Sequence, residues 1–414
     1  MNVAIFTLGC KTNQYESELI KESFESKGHT IVQFKEKADI YVINSCVVTQ
    51  KAEAETRKAV HFASRKNPNA KIILTGCFVN LHKEFNAKNL FLYSGEKSKI
   101  ANFLETKEIY PIAINTETIK SFSERSRATI KIEEGCNNFC TYCIVPLVRG
   151  NKINSKSIEI VVKEAANLVK NGFKEIVLTG TEIGKYGEDI KTNLASLLKE
   201  LKKIQGLERI RISSIYPTAV TDELIEQIEN PVVPHLHMSL QSGDNDVLKH
   251  MKRDYTIEQY MSIVEKLRKK DPNFSISTDI IVGFPGESEE AFLNSLKTVK
   301  EVEFSKVHIF RFSKRPFTPA YFMKETVSEA AKKIRAQRMR EMSMQVQKEY
   351  KERFTGKTVN VLVEEKIDEF YTGFTPYYIK VKFKSDREIK QGEIVNIIAE
   401  KADSDFIYGR LLNL

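Results

Sequence analysis

Three cysteines in one short run set the chemistry that this sequence invites. The stretch Gly135-Cys136-Asn137-Asn138-Phe139-Cys140-Thr141-Tyr142-Cys143 spaces its thiols as C-x-x-x-C-x-x-C. Thiolates spaced in this way on one loop can take three corners of a cubane iron-sulfur cluster, leaving the fourth iron open. An open iron can hold a small chelating ligand, and a sulfonium cofactor bound there through its amino and carboxylate groups is a source of radicals. A zinc knuckle would want a fourth Cys or His nearby, and a disulfide pair would leave an odd thiol. Neither alternative accounts for a compact trio without a fourth partner, so a cluster is the expectation.

The chain has six cysteines, and the remaining three, Cys10, Cys46 and Cys77, lie far apart. Apolar runs at residues 2–7, 39–44 and 71–75 read as buried strands, and residues 16–27 and 50–66 have helical spacing. Strands alternating with helices imply a parallel sheet whose strand-following loops share one edge. Each of these three cysteines sits in such a loop. Any one of them could be a small buried hydrophobe. Three at the same topological position are expected to form a second three-thiolate site, and Gly9 and Gly76 beside Cys10 and Cys77 let the backbone turn there.

Residues 111–126 are polar and aperiodic and read as a linker. A longer βα series follows, with strands expected at 128–132, 175–179, 209–213, 235–240, 275–282 and 306–312. Six such units suggest a partial or full barrel of parallel strands, with the Cys136 loop at its C-terminal end, where barrel active sites lie. Other polar runs share that end. A zwitterionic sulfonium nucleoside needs an acceptor for its ammonium, donors for its carboxylate and polar groups for its ribose. Gly180 with Glu182 and Gln241 with Ser242 are the expected suppliers, with Ser213 and Tyr142 beside them.

Residues 327–354 contain no Pro or Gly and are expected to form one long helix. Between Lys332 and Lys357 nine Lys or Arg face three Glu, a local excess of 9 − 3 = +6. Beyond Gly356 the apolar period changes to two, which implies four or five strands in a small antiparallel barrel of a kind that often binds oligonucleotides. Tyr371, Phe374, Tyr377 and Tyr378 lie close to Lys380, Lys382 and Lys384, a mixture able to stack bases and hold phosphates. At least two of those rings are expected to pack the barrel's own core instead.

With 414 residues, 41% of them hydrophobic, the chain has material for two or three domains. Its formal charge of +9 suits a polyanionic partner such as nucleic acid. No apolar run approaches the roughly 20 residues that span a bilayer, and Met1 to Leu8 lacks a signal-peptide pattern, so a cytoplasmic protein without disulfides is expected. No catalytic triad stands out. The seven histidines, including His235 and His237, read as structural.

Taken together, these motifs resemble the radical S-adenosylmethionine (SAM) methylthiotransferase family nearly end to end. The resemblance implies an α/β architecture: an N-terminal parallel-sheet domain at 1–110, a linker at 111–126, a radical SAM (β/α) partial barrel at 127–354, and a small RNA-binding TRAM barrel at 355–414. It implies two 4Fe-4S clusters. Cys136, Cys140 and Cys143 would hold the SAM cluster, and Cys10, Cys46 and Cys77 an auxiliary one. SAM would serve as radical source and methyl donor. The implied reaction converts an aromatic C–H of adenosine beside the tRNA anticodon into a methylthio carbon. The run Gly9-Cys10-Lys11-Thr12-Asn13-Gln14 is similar to the branch acting on N6-threonylcarbamoyladenosine. Competing readings are action on isopentenyladenosine or on a ribosomal protein side chain, and an RNA-binding redox sensor without turnover. A flavodoxin- or ferredoxin-type electron donor and a monomeric state are also implied. The sequence departs from the family pattern at Lys152, at Asn154-Ser155, and at Phe317 where Gly is usual.

Overall fold

The computed structural model describes residues 1–122 and 125–412. Ser123 and Glu124, within the expected linker, and Asn413 and Leu414, at the end of the C-terminal unit, lie outside the described residues.

The N-terminal sheet has five parallel strands, in the spatial order Thr30–Val32, Asn2–Thr7, Ile40–Ser45, Lys71–Gly76, Leu90–Tyr93. The central strand, Ile40–Ser45, is buried at every residue, because a parallel sheet is covered on both faces. Alternation assigns the covers. Ile40 and Val42 pack with Ile20 and Phe24 of helix Lys11–Glu25, and Tyr41 and Ile43 pack with Ala59, Val60 and Ala63 of helix Gln50–Lys66. The two edge strands were not expected; each is only three or four residues long.

The first helix starts at Lys11 rather than Glu16, directly after Cys10 in an extended conformation. Cys77 likewise opens a short helix, Cys77–Leu81, behind Gly76. Gly76 has φ +87, and a Cβ there would stand 2.5 Å from the carbonyl oxygen of Ser45 on the neighbouring strand. Only glycine fits that crossing.

The central domain is a partial barrel. Strands Arg127–Lys131, Glu175–Thr179 and Arg209–Ile212 form one parallel sheet. Ser214–Ile215, His235–Met238, Ser275–Val282 and Lys306–Arg311 form a second, continuous with the first through residues 212–214 and the Ile210 to Val232 bridge. Among the described residues the first and last strands do not pair, so the wall is open on one side. Ala128, Ile130, Ile176, Leu178, Ile210 and Ile212 face the helices and belong to the main core. The alternate positions, Thr129, Glu175, Arg211, His235 and Ser277 among them, give the concave face a polar lining.

Helix Glu329–Glu352, capped by Ser328, leads to a closed five-stranded barrel. Four of its strand pairs are antiparallel, and a parallel pairing of Lys380–Lys384 with Ile407–Leu411 closes it. The basic stripe on the long helix is less free than its sequence suggests. Lys332 is buried against Glu325 and Glu329, Arg335 against Glu287, and Lys351 against the Ser404 carbonyl.

The small barrel seals the N-terminal end of the partial barrel through a buried ionic joint. Glu175 is fully buried between Arg209 and Arg127 in strand register, and Arg211 Nε donates to it at 2.7 Å. Arg209 donates to the carbonyls of Phe374 and Asn360 at 2.9 and 3.1 Å, and Arg211 to those of Pro376 and Thr375 at 3.1 and 3.3 Å. Burial opposes the Glu175 charge, but Arg211, Arg127 and Arg209 outweigh it and hold the carboxyl down to about 2. A carboxyl depressed on folding contributes stability that is complete above its unfolded value of roughly 4.3 and is lost as pH falls toward the folded value. Glu175→Gln leaves Arg209 and Arg211 with neutral acceptors only and Arg127 with Glu364 alone, and urea denaturation at pH 7 should report a loss of about 3–5 kcal/mol. Between roughly pH 4.3 and 2 the wild type should lose part of that advantage while the variant's stability changes less with pH.

Candidate active site

The three dispersed cysteines meet at one edge of the N-terminal sheet. An atom added at the Cα of Gly9, next to Cys10, would lie 3.0 and 3.1 Å from Cβ and Sγ of Cys46. The Ser45 hydroxyl ties the preceding residues together by donating to the Thr75 carbonyl and accepting from Phe78 N at 3.2 Å. Cys10 is exposed, whereas Cys46 and Cys77 are buried. Arg149, at the end of the short helix Val145–Arg149 that follows the Cys143 loop, donates from Nε to Cys77 Sγ at 3.2 Å. Val47, Cys77, Ile144 and Val148 share one small apolar cluster. Thr12 reaches the Gly180 carbonyl at 3.4 Å. The two trios therefore stand on either side of one seam, joined by the segment that follows Cys143.

Cys136 and Cys140 are buried and Cys143 half-buried. Arg253, 113 residues from Cys140 along the chain, points Nη1 at its Sγ at 3.5 Å and lies over the Tyr216 ring at 4.0 Å. Burial pushes the Cys77 thiol up to about 11, and those of Cys136 and Cys143 to about 12. Such thiols stay protonated at neutral pH until a cation takes the sulfur, since metals bind the deprotonated form. Among the described residues no three His, Cys, Asp or Glu side chains are grouped as ligands of a single ion. A cluster takes each thiolate to a different iron and so spreads its ligands. Converging thiols, with one guanidinium beside each trio to offset thiolate charge, fit that use.

The expected cofactor residues divide. Glu182 accepts from Asn138 Nδ2 at 3.1 Å and from Tyr216 N at 3.3 Å, and burial holds its carboxyl up to about 7. Gly180 lies against Glu133, whose Oε2 stands 2.4 Å from where a Cβ would be. Glu133 is fully buried, its Oε2 accepts from Glu182 N at 2.8 Å, and its Oε1 has no partner. Burial raises this carboxyl well above its ordinary value. An orphaned buried carboxyl oxygen beside a second raised carboxyl fits a ligand that brings an ammonium group. Gln241 has φ +70 and pairs through its backbone with Asp279 and Ile281. Ser213 is buried and donates from N to the Leu178 carbonyl at 3.0 Å. Tyr142 meets Phe284 edge-on at 6.4 Å. Ser242 is fully buried, with its hydroxyl 3.4 Å from that of Ser295 on helix Glu289–Val302.

The aromatic and lysine mixture of the C-terminal barrel sorts differently from its reading in sequence. Tyr371 lies in the barrel core and Tyr377 packs on Phe354 at 5.0 Å. Phe374 and Tyr378 stack on each other at 4.8 Å, under Arg127 and, for Tyr378, Arg211. The lysines instead cover other rings, with Lys382 and Lys384 over Phe370 at 4.3 and 4.9 Å and Lys380 over Phe406 at 5.5 Å.

Sequence reasoning missed Glu133, Arg149 and Arg253. An acidic pair between a strand and a cysteine loop is a usable signal for the first, and the basic residue closing the post-cysteine turn for the second. Arg253 carries none, since only the fold brings it to Cys140. Phe317, the departure from the family pattern, has φ +68 and is 69% exposed, so its ring is held out by a backbone better suited to glycine.

Comparison with known proteins agrees with this geometry. Residues 130–299 match the model of the Radical SAM superfamily and residues 2–91 that of the uncharacterized protein family UPF0004. The chain is 44% identical to the threonylcarbamoyladenosine tRNA methylthiotransferase MtaB of Thermotoga maritima, over 93% of this chain and 92% of that one. It is 34% identical to the tRNA-2-methylthio-N(6)-dimethylallyladenosine synthase of Clostridium novyi, over 99% and 96%. A solved structure of the radical SAM methyltransferase TsrM from Kitasatospora setae superposes with a TM-score of 0.58 at 14% identity, over 77% of this chain and 74% of that one, a likeness of fold. No helix among the described residues is long and apolar enough to cross a membrane. With both cysteine trios in place and similarity running through all three structural units, the chain belongs to the radical SAM methylthiotransferase family.

Proposed function

We propose that this protein is a tRNA methylthiotransferase that converts N6-threonylcarbamoyladenosine beside the anticodon into its 2-methylthio derivative. The observation that carries the proposal is the seam itself: the segment that follows Cys143 packs Ile144 and Val148 against Val47 and Cys77 of the other domain, and its Arg149 donates to the Cys77 sulfur. The identity with the Thermotoga maritima enzyme supports the threonylcarbamoyl substrate over the dimethylallyl one.

Cys136, Cys140 and Cys143 would hold the SAM cluster, and Cys10, Cys46 and Cys77 an auxiliary 4Fe-4S cluster. When bound, the clusters and SAM supply the one-electron chemistry that breaks an unactivated C–H bond, together with the methyl and sulfur groups that replace the hydrogen. The chain's own residues bind and orient. Glu133 and Glu182 present acceptors to the cofactor's ammonium, and Gly180 lets the backbone pass close to Glu133. Gln241, Ser213 and Tyr142 line the same end of the strands, and Ser242 fixes the Gln241 turn through Ser295. Arg253 and Arg149 offset negative charge on the sulfurs of Cys140 and Cys77. No residue needs to act as general base, because hydrogen abstraction from an aromatic carbon offers no acid–base route. A flavodoxin- or ferredoxin-type protein would deliver the electron to a monomeric, cytoplasmic enzyme.

Three experiments test this reading. Anaerobic reconstitution should give about eight iron atoms per chain, and about four in a Cys10, Cys46, Cys77 triple alanine variant. Cys77→Ala should keep reductive SAM cleavage to 5'-deoxyadenosine and lose methylthio insertion; loss of both together would deny the trios separate roles. In nucleoside mass spectrometry of bulk tRNA, deleting the gene should abolish 2-methylthio-threonylcarbamoyladenosine and accumulate its precursor. Loss of the isopentenyl derivative instead would reassign the substrate.

A further inference from the structure

A cleft of about 1060 Å³ opens where the first helix, the first strands of the partial barrel and the C-terminal barrel meet. Its wall includes Lys11, Arg127, Thr129, Val177 and Tyr378. Thr129 and Val177 belong to the concave face of the barrel, so the cleft is continuous with the polar interior. Lys11 is the residue after Cys10. Its Nζ lies 5.9 Å from the centre of the Tyr378 ring, and Arg127 and Arg211 are its cationic neighbours.

Lys11 stands in this wall among cations that already have partners. Arg127, Arg209 and Arg211 are engaged by Glu175 and Glu364 and by barrel carbonyls. Lys11 stands beside them, and of the carboxylates that line the cleft Glu364 is taken by Arg127 and Glu365 by Lys380. Among the described residues no carboxylate pairs with Lys11. Asp279, on the concave face, is already paired with His237 at 3.1 Å. Half-buried cations without a counter-charge cost folding energy, and a bound anion returns it.

We propose that Lys11 binds the carboxylate of the substrate's threonylcarbamoyl group, and that this contact selects the substrate over adenosines whose N6 group is uncharged. The inference rests on the threonylcarbamoyl reading above and deepens it. Position favours this anion over a backbone phosphate. The base must enter the seam beside Cys10 to be modified, and its N6 substituent travels in with it, whereas phosphates stay with the ribose chain. Selectivity then comes from desolvation as much as attraction, because an apolar N6 group would leave the Lys11 ammonium facing it without a partner.

Binding of anticodon stem-loop RNAs to the reconstituted holoenzyme, without reductant, tests this. Three RNAs would differ at one base only, carrying the threonylcarbamoyl group, its primary carboxamide, or the isopentenyl group. Wild type should bind the carboxylate RNA between about 10-fold and 100-fold more tightly than the carboxamide, the range of a charge-assisted hydrogen bond. Lys11→Gln should bind those two equally, and Lys11→Arg should restore most of the preference. Wild type binding carboxylate and carboxamide alike would overturn the proposal and leave the substrate reading standing. So would equal weakening of both RNAs in Lys11→Gln, the signature of a phosphate contact or a structural role. Wild type preferring the isopentenyl RNA would overturn both.

Discussion

The arrangement of the whole site depends on a buried chain of charges across the seam between the first two domains. Arg149 donates to the carboxylates of Glu16 and Glu134 and to the side-chain oxygen of Asn13. Lys131 bridges Glu16, Glu117 and Glu134, and Lys97 takes Glu117 through its backbone nitrogen at 2.8 Å. Three cations stand among three carboxylates, so this network is neutral. Desolvating so many ions costs nearly what their attraction returns, and the network adds little net stability. It adds direction. Apolar surfaces tolerate sliding, whereas a planar guanidinium with several fixed acceptors does not. Because Arg149 also reaches Cys77, docking the domains and spacing the two thiol trios are one event.

Polypeptide expected to be a passive connector takes part. Glu117, Ile119 and Phe122 are buried, and the Glu117 carbonyl accepts from the Tyr15 hydroxyl at 2.8 Å. Its polar, aperiodic sequence is what a strap across a charged seam requires, and composition alone cannot separate that from a flexible linker.

What the sequence made legible was what repeats. Strands at Asn2–Thr7, Glu175–Thr179 and Ser275–Val282 and the helix Gln50–Lys66 fall where apolar periodicity puts them. The shared position of Cys10, Cys46 and Cys77 followed from topology. Facing was not legible. A helix turns about 100° per residue, so seven basic residues along Glu329–Glu352 were bound to point in every direction, and Lys332, Arg335 and Lys351 found acids or carbonyls inside. The strand Phe370–Phe374 went unexpected, and with it the side on which Tyr371 and Phe374 emerge. A cluster of aromatic and basic letters thus resolved into a core, an ionic joint and a separate outer face.

Gly76 sets a dimension of the site by what it lacks. Ser45, whose carbonyl a side chain at Gly76 would strike, immediately precedes Cys46, as Gly76 immediately precedes Cys77. The interval between those two sulfurs is gauged by backbone touching backbone, with a hydrogen atom as the spacer. Evolution can retune the reactivity of the first trio through its neighbours, yet cannot widen it by small steps at this point: the smallest side chain would push two ligands apart at once, leaving a mutational path with no intermediate.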